Sequence, residues 1–355
     1  MDDRDDAPSP TGDAPDAAAA PASTSRMPTW LRITARLLLW PAVISALVIP
    51  QLPRFREATI ELQSISLPRL LVGFALVTAS IACYSGLTRT ALLERSDRIP
   101  HVRMFRIQLA TRALANVVPG GNATASALGF RLITQAGASN TGAAFALATA
   151  GLYSAFVLNV LFWAALLASL PSQGADWALA ATAAAGLLLL LGIGVVAFAV
   201  TRRDGRLHRL AVRIAGRLRI EPGRISDLLV EIRQRFDTLR RQPALLRRLT
   251  MWSLLQWSLD MAALWTFLAA FGIRLDPIVL VLVFGAANIA AAVPITPGGL
   301  GVVEGVYITA LVQLGFTLQA AALGVAAYRL AHYLFPILTG GLAYLSLRAG
   351  PWRLG

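Results

Sequence analysis

The stretch Ala292-Val293-Pro294-Ile295-Thr296-Pro297-Gly298-Gly299-Leu300-Gly301-Val302-Val303-Glu304-Gly305 decides the reading of this chain. Its two prolines and four glycines break any helix, yet apolar runs flank it on both sides. In a membrane, backbone that is not hydrogen-bonded within its own helix is tolerated only against protein or a water-filled cavity. Glu304 sits just past the break. A broken helix beside an intramembrane carboxylate points to a site rather than a simple anchor.

The rest of the chain supports a membrane setting. Of its 355 residues 56% are hydrophobic and 14% charged, and the mean hydropathy is +0.62. Soluble domains carry about 25% charged residues, so this is an integral membrane protein. Leu70–Thr88, Gly142–Leu170 and Trp177–Thr201 are each long enough to cross the hydrocarbon core. They are rich in Ala, Leu, Val and Gly without alternation of period two, which predicts helices rather than a barrel. The expected fold is all-α and polytopic, with about six full spans near 34–52, 70–90, 142–170, 176–201, 250–272 and 319–346.

Net charge is +13, and all 32 basic residues are arginine. The excess lies in a few connecting segments, which suits membrane orientation and anionic-lipid contact, not nucleic-acid binding. Residues 1–30 form an acidic tail without an apolar core, so they are read as a disordered cytoplasmic tail and not a signal peptide. The segment 202–249 is the most basic connection. Within it Ile214, Leu218, Ile225, Leu228, Leu229, Ile232 and Phe236 recur at helical spacing, as in a helix lying on anionic headgroups or packed on the protein. This division leaves a transmembrane domain of residues 31–355, with a first half 31–201, the linker 202–249 and a second half 250–355. The parity of the spans puts both termini in the cytoplasm.

A second break precedes the first. Pro119-Gly120-Gly121 matches Pro297-Gly298-Gly299 at an offset of 178 residues, and the same offset pairs Gln135 with Gln313 and Gly137 with Gly315. Each break lies between short apolar arms, in 107–137 and in 277–316. The first reads as a re-entrant hairpin, the second as a deep hairpin or two short spans. Three full spans separate the two, so they enter from opposite sides, which is an inverted repeat.

Candidate residues cluster at these breaks. Helix N-termini after a Gly-rich turn offer free N–H groups to an anion. Gly120, Gly121, Asn122 and then Arg131 suit a phosphate, with Thr124 and Ser126 nearby; Pro297, Gly298 and Gly299 form the second tip. Glu304, Asp260 and Arg329 are charges inside apolar runs, expected to couple or gate, and Arg329 is expected to pair with either carboxylate. Enzyme signals are poor: there is no nucleophile elbow, Walker loop or zinc motif, which leaves an integral-membrane transferase the least favoured reading. His101, His208 and His332 match no metal spacing, and the single Cys83 allows no intrachain disulfide. No catalytic residue, metal or cofactor is expected.

Pro294-Ile295-Thr296-Pro297-Gly298-Gly299-Leu300-Gly301-Val302-Val303-Glu304, with Tyr328-Arg329-Leu330 and Gly340-Gly341, resembles the transmembrane region of lysylphosphatidylglycerol synthases over roughly residues 35–346. The resemblance implies a bacterial inner-membrane protein that moves a lipid between leaflets. It carries Gly298, Gly299, Glu304 and Arg329 over as functional positions. The soluble aminoacyl-transfer domain is not expected, so synthase activity is not inferred. The first break departs from the family pattern of Pro, a basic residue and Gly-Glu. The leading expectation is a flippase for a phosphate-bearing lipid, either a phospholipid, aminoacylated or not, or a polyprenyl phosphate. The alternative is an accessory subunit that presents such a lipid to a separate glycosyl- or aminoacyl-transferase. A partner transferase or a homo-oligomer is compatible with either.

Overall fold

A computed structural model describes residues 67–93, 99–118, 121–173, 241–291 and 297–348, with isolated positions between 181 and 195 and between 230 and 238. The expected tail, the 34–52 span, most of the 176–201 span and the amphipathic stretch 214–236 lie outside the described residues. Among the described residues every regular element is helical. In chain order they are α1 (Leu67–Ala91), α2 (His101–Val117), α3 (Gly121–Gln135), α4 (Asn140–Gln173), α5 (Pro243–Ala270), α6 (Pro277–Ala291), a 3-10 turn (Pro297–Gly299), α7 (Val302–Gln313), α8 (Leu318–Arg329), a π segment (Leu330–Leu334) and α9 (Phe335–Arg348).

Three stretches of the described residues are long and apolar enough to cross a membrane: Leu67–Ala91, Asn140–Ser169 and Leu318–Arg348. The last joins α8, the π segment and α9. α5 is 28 residues long but carries Arg247, Arg248 and Asp260. It starts at Pro243, so the end of the expected linker belongs to its first turns. α2 likewise starts at His101, earlier than the apolar run beginning at Ile107 suggests. Arg103 and Arg106, which precede the short arm read from residue 107, are helical. Arginine is a good helix former, and its long stem carries the charge away from the apolar surface.

The repeat extends to the turns. α3 ends at Gln135 and α7 at Gln313, which keeps the offset of 178. In one turn Gly137 N–H donates to Thr134 O and Ala138 N–H to Ile133 O; in the other Gly315 N–H donates to Val312 O and Phe316 N–H to Leu311 O. Gly137 (φ 102°) and Gly315 (φ 90°) occupy the same left-handed position. The next helix is capped by a hydroxyl in each case: Ser139 Oγ accepts from Gly142 N–H at 3.1 Å, and Thr317 Oγ1 from Ala320 N–H at 3.3 Å. Five matched features at one offset therefore relate the two segments.

α1 and α5, which also correspond at this offset, pack against each other. Gly73 lies against Phe267 and Gly86 against Trp252, so the two helices run antiparallel. Their core continues into Leu264, Leu268, Tyr307, Leu311, Val325 and Tyr328. A second apolar cluster gathers Leu87, Met104, Ile107, Ile133, Leu249 and Leu347. It lies at the end of the bundle where Arg106 Nε donates to Ser346 Oγ at 2.9 Å.

α9 approaches α2 closely. A Cβ on Gly340 would stand 2.2 Å from Leu109 O and 2.7 Å from Ala113 Cβ, whereas one on Gly341 would meet nothing within 4 Å. Small residues let helix backbones come this near in a membrane. Gly340→Ala is expected to lower stability by about 1–3 kcal/mol. Gly341→Ala is expected to be neutral or to stabilise by up to about 1 kcal/mol. Thermal unfolding in detergent separates them; equal effects would contradict the close approach.

Candidate functional site

The second break is a turn held in the left-handed region. Gly298 (φ 57°), Gly299 (φ 70°) and Gly301 (φ 82°) all have positive φ, which L side chains rarely adopt. At Gly298 space is short as well: a Cβ would lie 2.6 Å from the Tyr333 ring. The turn ends where α7 begins, and Glu304 is three residues into that start. Its Oε2 accepts from the Gly301 N–H at 2.7 Å, satisfying one of the orphan donors of the helix start.

The other oxygen of Glu304 is used elsewhere. Arg329 Nε donates to Glu304 Oε1 at 2.6 Å, and Arg329 Nη2 donates to the Gly298 carbonyl at 3.0 Å. The guanidinium also lies over the Tyr333 ring, 5.4 Å from its centroid. One cation thus holds both the turn and the helix that follows it. The Arg329 side chain is 9% exposed and that of Glu304 23%, so the pair is largely removed from solvent on the Arg329 side.

The first helical pair reaches the same place. The 3-10 turn packs on α2 and α3. Asn116, in the last turn of α2, donates from Nδ2 to the Tyr333 carbonyl at 3.0 Å, and the Tyr333 hydroxyl donates to the Asn116 carbonyl. At the apex of that pair a Cβ on Gly121 would lie 2.0 Å from Ala115 O, so α2 and α3 touch through backbone.

A second polar cluster adjoins the first. Asp260, on α5, is 2% exposed. Tyr328 donates from its hydroxyl to Asp260 Oδ1 at 3.2 Å, and His332 Nε2 lies 3.2 Å from Oδ2. Arg112 Nη2, from α2, contacts that same His332 Nε2. A ring nitrogen carries either a proton or a lone pair. It cannot donate to Asp260 and accept from Arg112 at once, so His332 has two alternative partners. Its ring stacks on Tyr328, with centroids 5.3 Å apart.

The π segment brings these groups together. Phe335 N–H bonds back to Leu330 O, one residue further than in an α-helix. The wide turn keeps Leu330 and Leu334 exposed, at 53% and 45%, while Tyr328, Arg329 and Ala331 are buried. Such bulges are frequent at functional sites.

The structure therefore gathers Gly298, Glu304 and Arg329, and sets Asp260 beside them through Tyr328 and His332. Between the two carboxylates open to Arg329, the partner is Glu304. Gly299 is buried in the same turn, and Pro297 begins it. Gly120 lies outside the described residues. Asn122 is exposed and inside α3, not its cap; Thr124 and Ser126 bond back to Gly121 O and Asn122 O of their own helix. Arg131 is elsewhere: ten residues beyond Gly121, or about 15 Å along the helix, beside Arg348. Arg112, Asn116 and Tyr333 were not singled out from sequence, and Tyr328 and His332 were noted there without a role at the site. Arg112 carried a usable signal, a charge within the short apolar arm 107–118.

The family model of the lysylphosphatidylglycerol synthase TM region matches residues 30–340, most of the chain. The protein belongs to this family. No curated protein and no solved structure matches the chain. It is thus a membrane protein of a lipid-related family.

Breaking a largely buried pair from one side leaves the other charge uncompensated. Glu304→Ala and Arg329→Ala are each expected to destabilise the protein by about 3 kcal/mol. The double variant should lose less than the sum by at least about 1 kcal/mol. A double-mutant cycle of unfolding free energies reads this; additive losses would mean that the contact contributes nothing of its own.

Proposed function

With family membership as the premise, we propose that this protein translocates a phosphate-bearing lipid between the leaflets of a bacterial cell membrane. The observation that carries the reading is the Arg329 guanidinium, held between Glu304 and the Gly298 carbonyl at a helix break that packs on the first hairpin. An isolated cation would be costly there, and so would an isolated carboxylate. Paired, they form a neutral lock that an anionic headgroup can open by exchange.

The exchange follows from the donors and acceptors. A phosphate offers Arg329 the same bidentate geometry as a carboxylate. As it takes the guanidinium, Glu304 Oε1 is released while Oε2 keeps its bond to the Gly301 N–H. The freed carboxylate then suits a cation, either a proton or the ammonium of an aminoacylated headgroup. Asp260 is a second carboxylate within the same core, and the choice of partner at His332 couples it to Arg112. Glu304, Arg329 and Asp260 accordingly gate the site, and Gly298 and Gly299 shape the tip that meets the headgroup.

The two halves supply the motion in this reading. The matched turns and the antiparallel α1 and α5 support an inverted repeat in which two re-entrant tips face each other. Rocking one repeat against the other opens the site alternately to each leaflet. The basic end of the bundle, with Arg89, Arg106, Arg247 and Arg348, faces the cytoplasm by the excess of positive charge.

The test is headgroup translocation in proteoliposomes, using labelled phosphatidylglycerol and its lysyl ester. Wild type is expected to move at least one above protein-free vesicles. Glu304→Gln, which keeps shape and removes charge, is expected to slow it by at least about tenfold, equivalent to some 1.4 kcal/mol. Equal rates in wild type, variant and empty vesicles, with folded protein in each, would refute the proposal.

A further inference from the structure

Arg131 does not take part in the core cluster, and its own surroundings are those of a binding site. A cavity of about 290 Å³ lies between α3 and the last turns of α9. Arg131 and Gln135 face it from one side, and Tyr344 and Arg348 from the other, over a floor that includes Leu132 and Leu347. Arg131 and Gln135 are four residues apart and share a helix face. The Arg348 guanidinium is set over the Tyr344 ring, 5.1 Å from its centroid, which fixes one donor group in place.

The electrostatics are one-sided. None of the lining residues is acidic. Among the described residues neither guanidinium has a hydrogen-bond or ion-pair partner, while Arg329 has both. Arg106 adds a third positive charge one step away, through its bond to Ser346, two residues before Arg348. Two guanidiniums facing one cavity repel each other unless an anion lies between them. The planar forks match a phosphodiester, Gln135 adds an amide donor, and the buried leucines suit the first carbons of an acyl or glycerol chain. The volume is at the lower end for ligand pockets, which fits a headgroup and not a whole lipid.

We infer that Arg131, Gln135, Tyr344 and Arg348 form a binding site for an anionic phosphodiester headgroup at the basic end of the bundle, apart from the Glu304–Arg329 cluster. The site requires no transport and is read by binding alone, so its success or failure is independent of translocation through the core.

Native mass spectrometry of the full chain, released from phosphatidylcholine nanodiscs, tests it with three probes: phosphatidylglycerol, added phosphatidylcholine and inorganic phosphate. Phosphatidylglycerol is expected to remain bound at one copy per chain, and Arg131→Gln with Arg348→Gln to weaken it by tenfold or more. Arg247→Gln with Arg248→Gln removes equal charge from the same end without touching the cavity and is expected to leave binding intact. Competition by millimolar inorganic phosphate would assign the site to soluble phosphates as well; lack of competition would assign it to lipid, and both support a phosphate site. Equal retention of phosphatidylcholine, or equal weakening by the two double variants, would show a diffuse basic surface and overturn the inference. The altered side chains of Arg131 and Arg348 lie at the surface, and an unchanged melting temperature confirms that the variant is folded.

Discussion

A guanidinium inside a membrane protein must be neutralised where it stands, and much of the second half of this chain is arranged around that requirement at Arg329. The neutralising groups come from one short turn: a backbone carbonyl at Gly298 and a carboxylate three residues into the following helix. Presenting both to one cation needs a backbone that reverses within a few residues, hence three glycines at positive φ. The turn is in turn fixed by what it holds. Without Arg329 the Gly298 carbonyl and Glu304 would face each other's negative charge across the break. Cation and turn therefore specify each other, and neither makes sense alone.

The scaffold is repeated, but the charges are not. At the offset of 178 residues Glu304 corresponds to Ser126, Arg329 to Gly151, His332 to Ser154 and Asp260 to Ala82. Arg112, the one charged participant from the first copy, corresponds to Ala290. The turns are alike to the level of individual hydrogen bonds, yet only one break carries a carboxylate and a cation. The first pair instead contributes Asn116, Arg112 and close backbone packing. A two-fold scaffold needs only one set of charges if its tips meet at a single place. A second buried set would add desolvation cost.

The sequence was informative wherever a local rule applied. Pro and Gly located both breaks, the offset located the repeat, and the cost of intramembrane charge singled out Glu304, Asp260 and Arg329. It was uninformative about partners, since pairing depends on how helices distant in sequence are placed. Arg329 was open to two carboxylates; the structure selects Glu304, because Asp260 is engaged by Tyr328 and His332. Asn116 and Tyr333 look like ordinary residues until α2 is laid against the π segment. That segment has no sequence signal of its own. Arg131 shows the opposite failure. Its nearness to the first break along the chain suggested a shared site, but a helix rises about 1.5 Å per residue, which carries Arg131 to the other end of α3.

Charge balance limits how the core cluster can work. Arg329 and Glu304 cancel, and Arg112 and Asp260 cancel, so the core is neutral with His332 uncharged. An anionic headgroup at Arg329 makes it negative unless Glu304 gains a proton or the lipid brings its own cation. A lysyl ester brings such a cation, and simple phosphatidylglycerol does not. In the proposed reading the same two guanidiniums and two carboxylates would therefore treat these lipids differently: one brings ammonium groups of its own to the freed Glu304, the other enters only together with a proton. Such a difference would need no pocket shaped to the amino-acid side chain, only one carboxylate held beside one arginine in a medium that penalises an unbalanced charge.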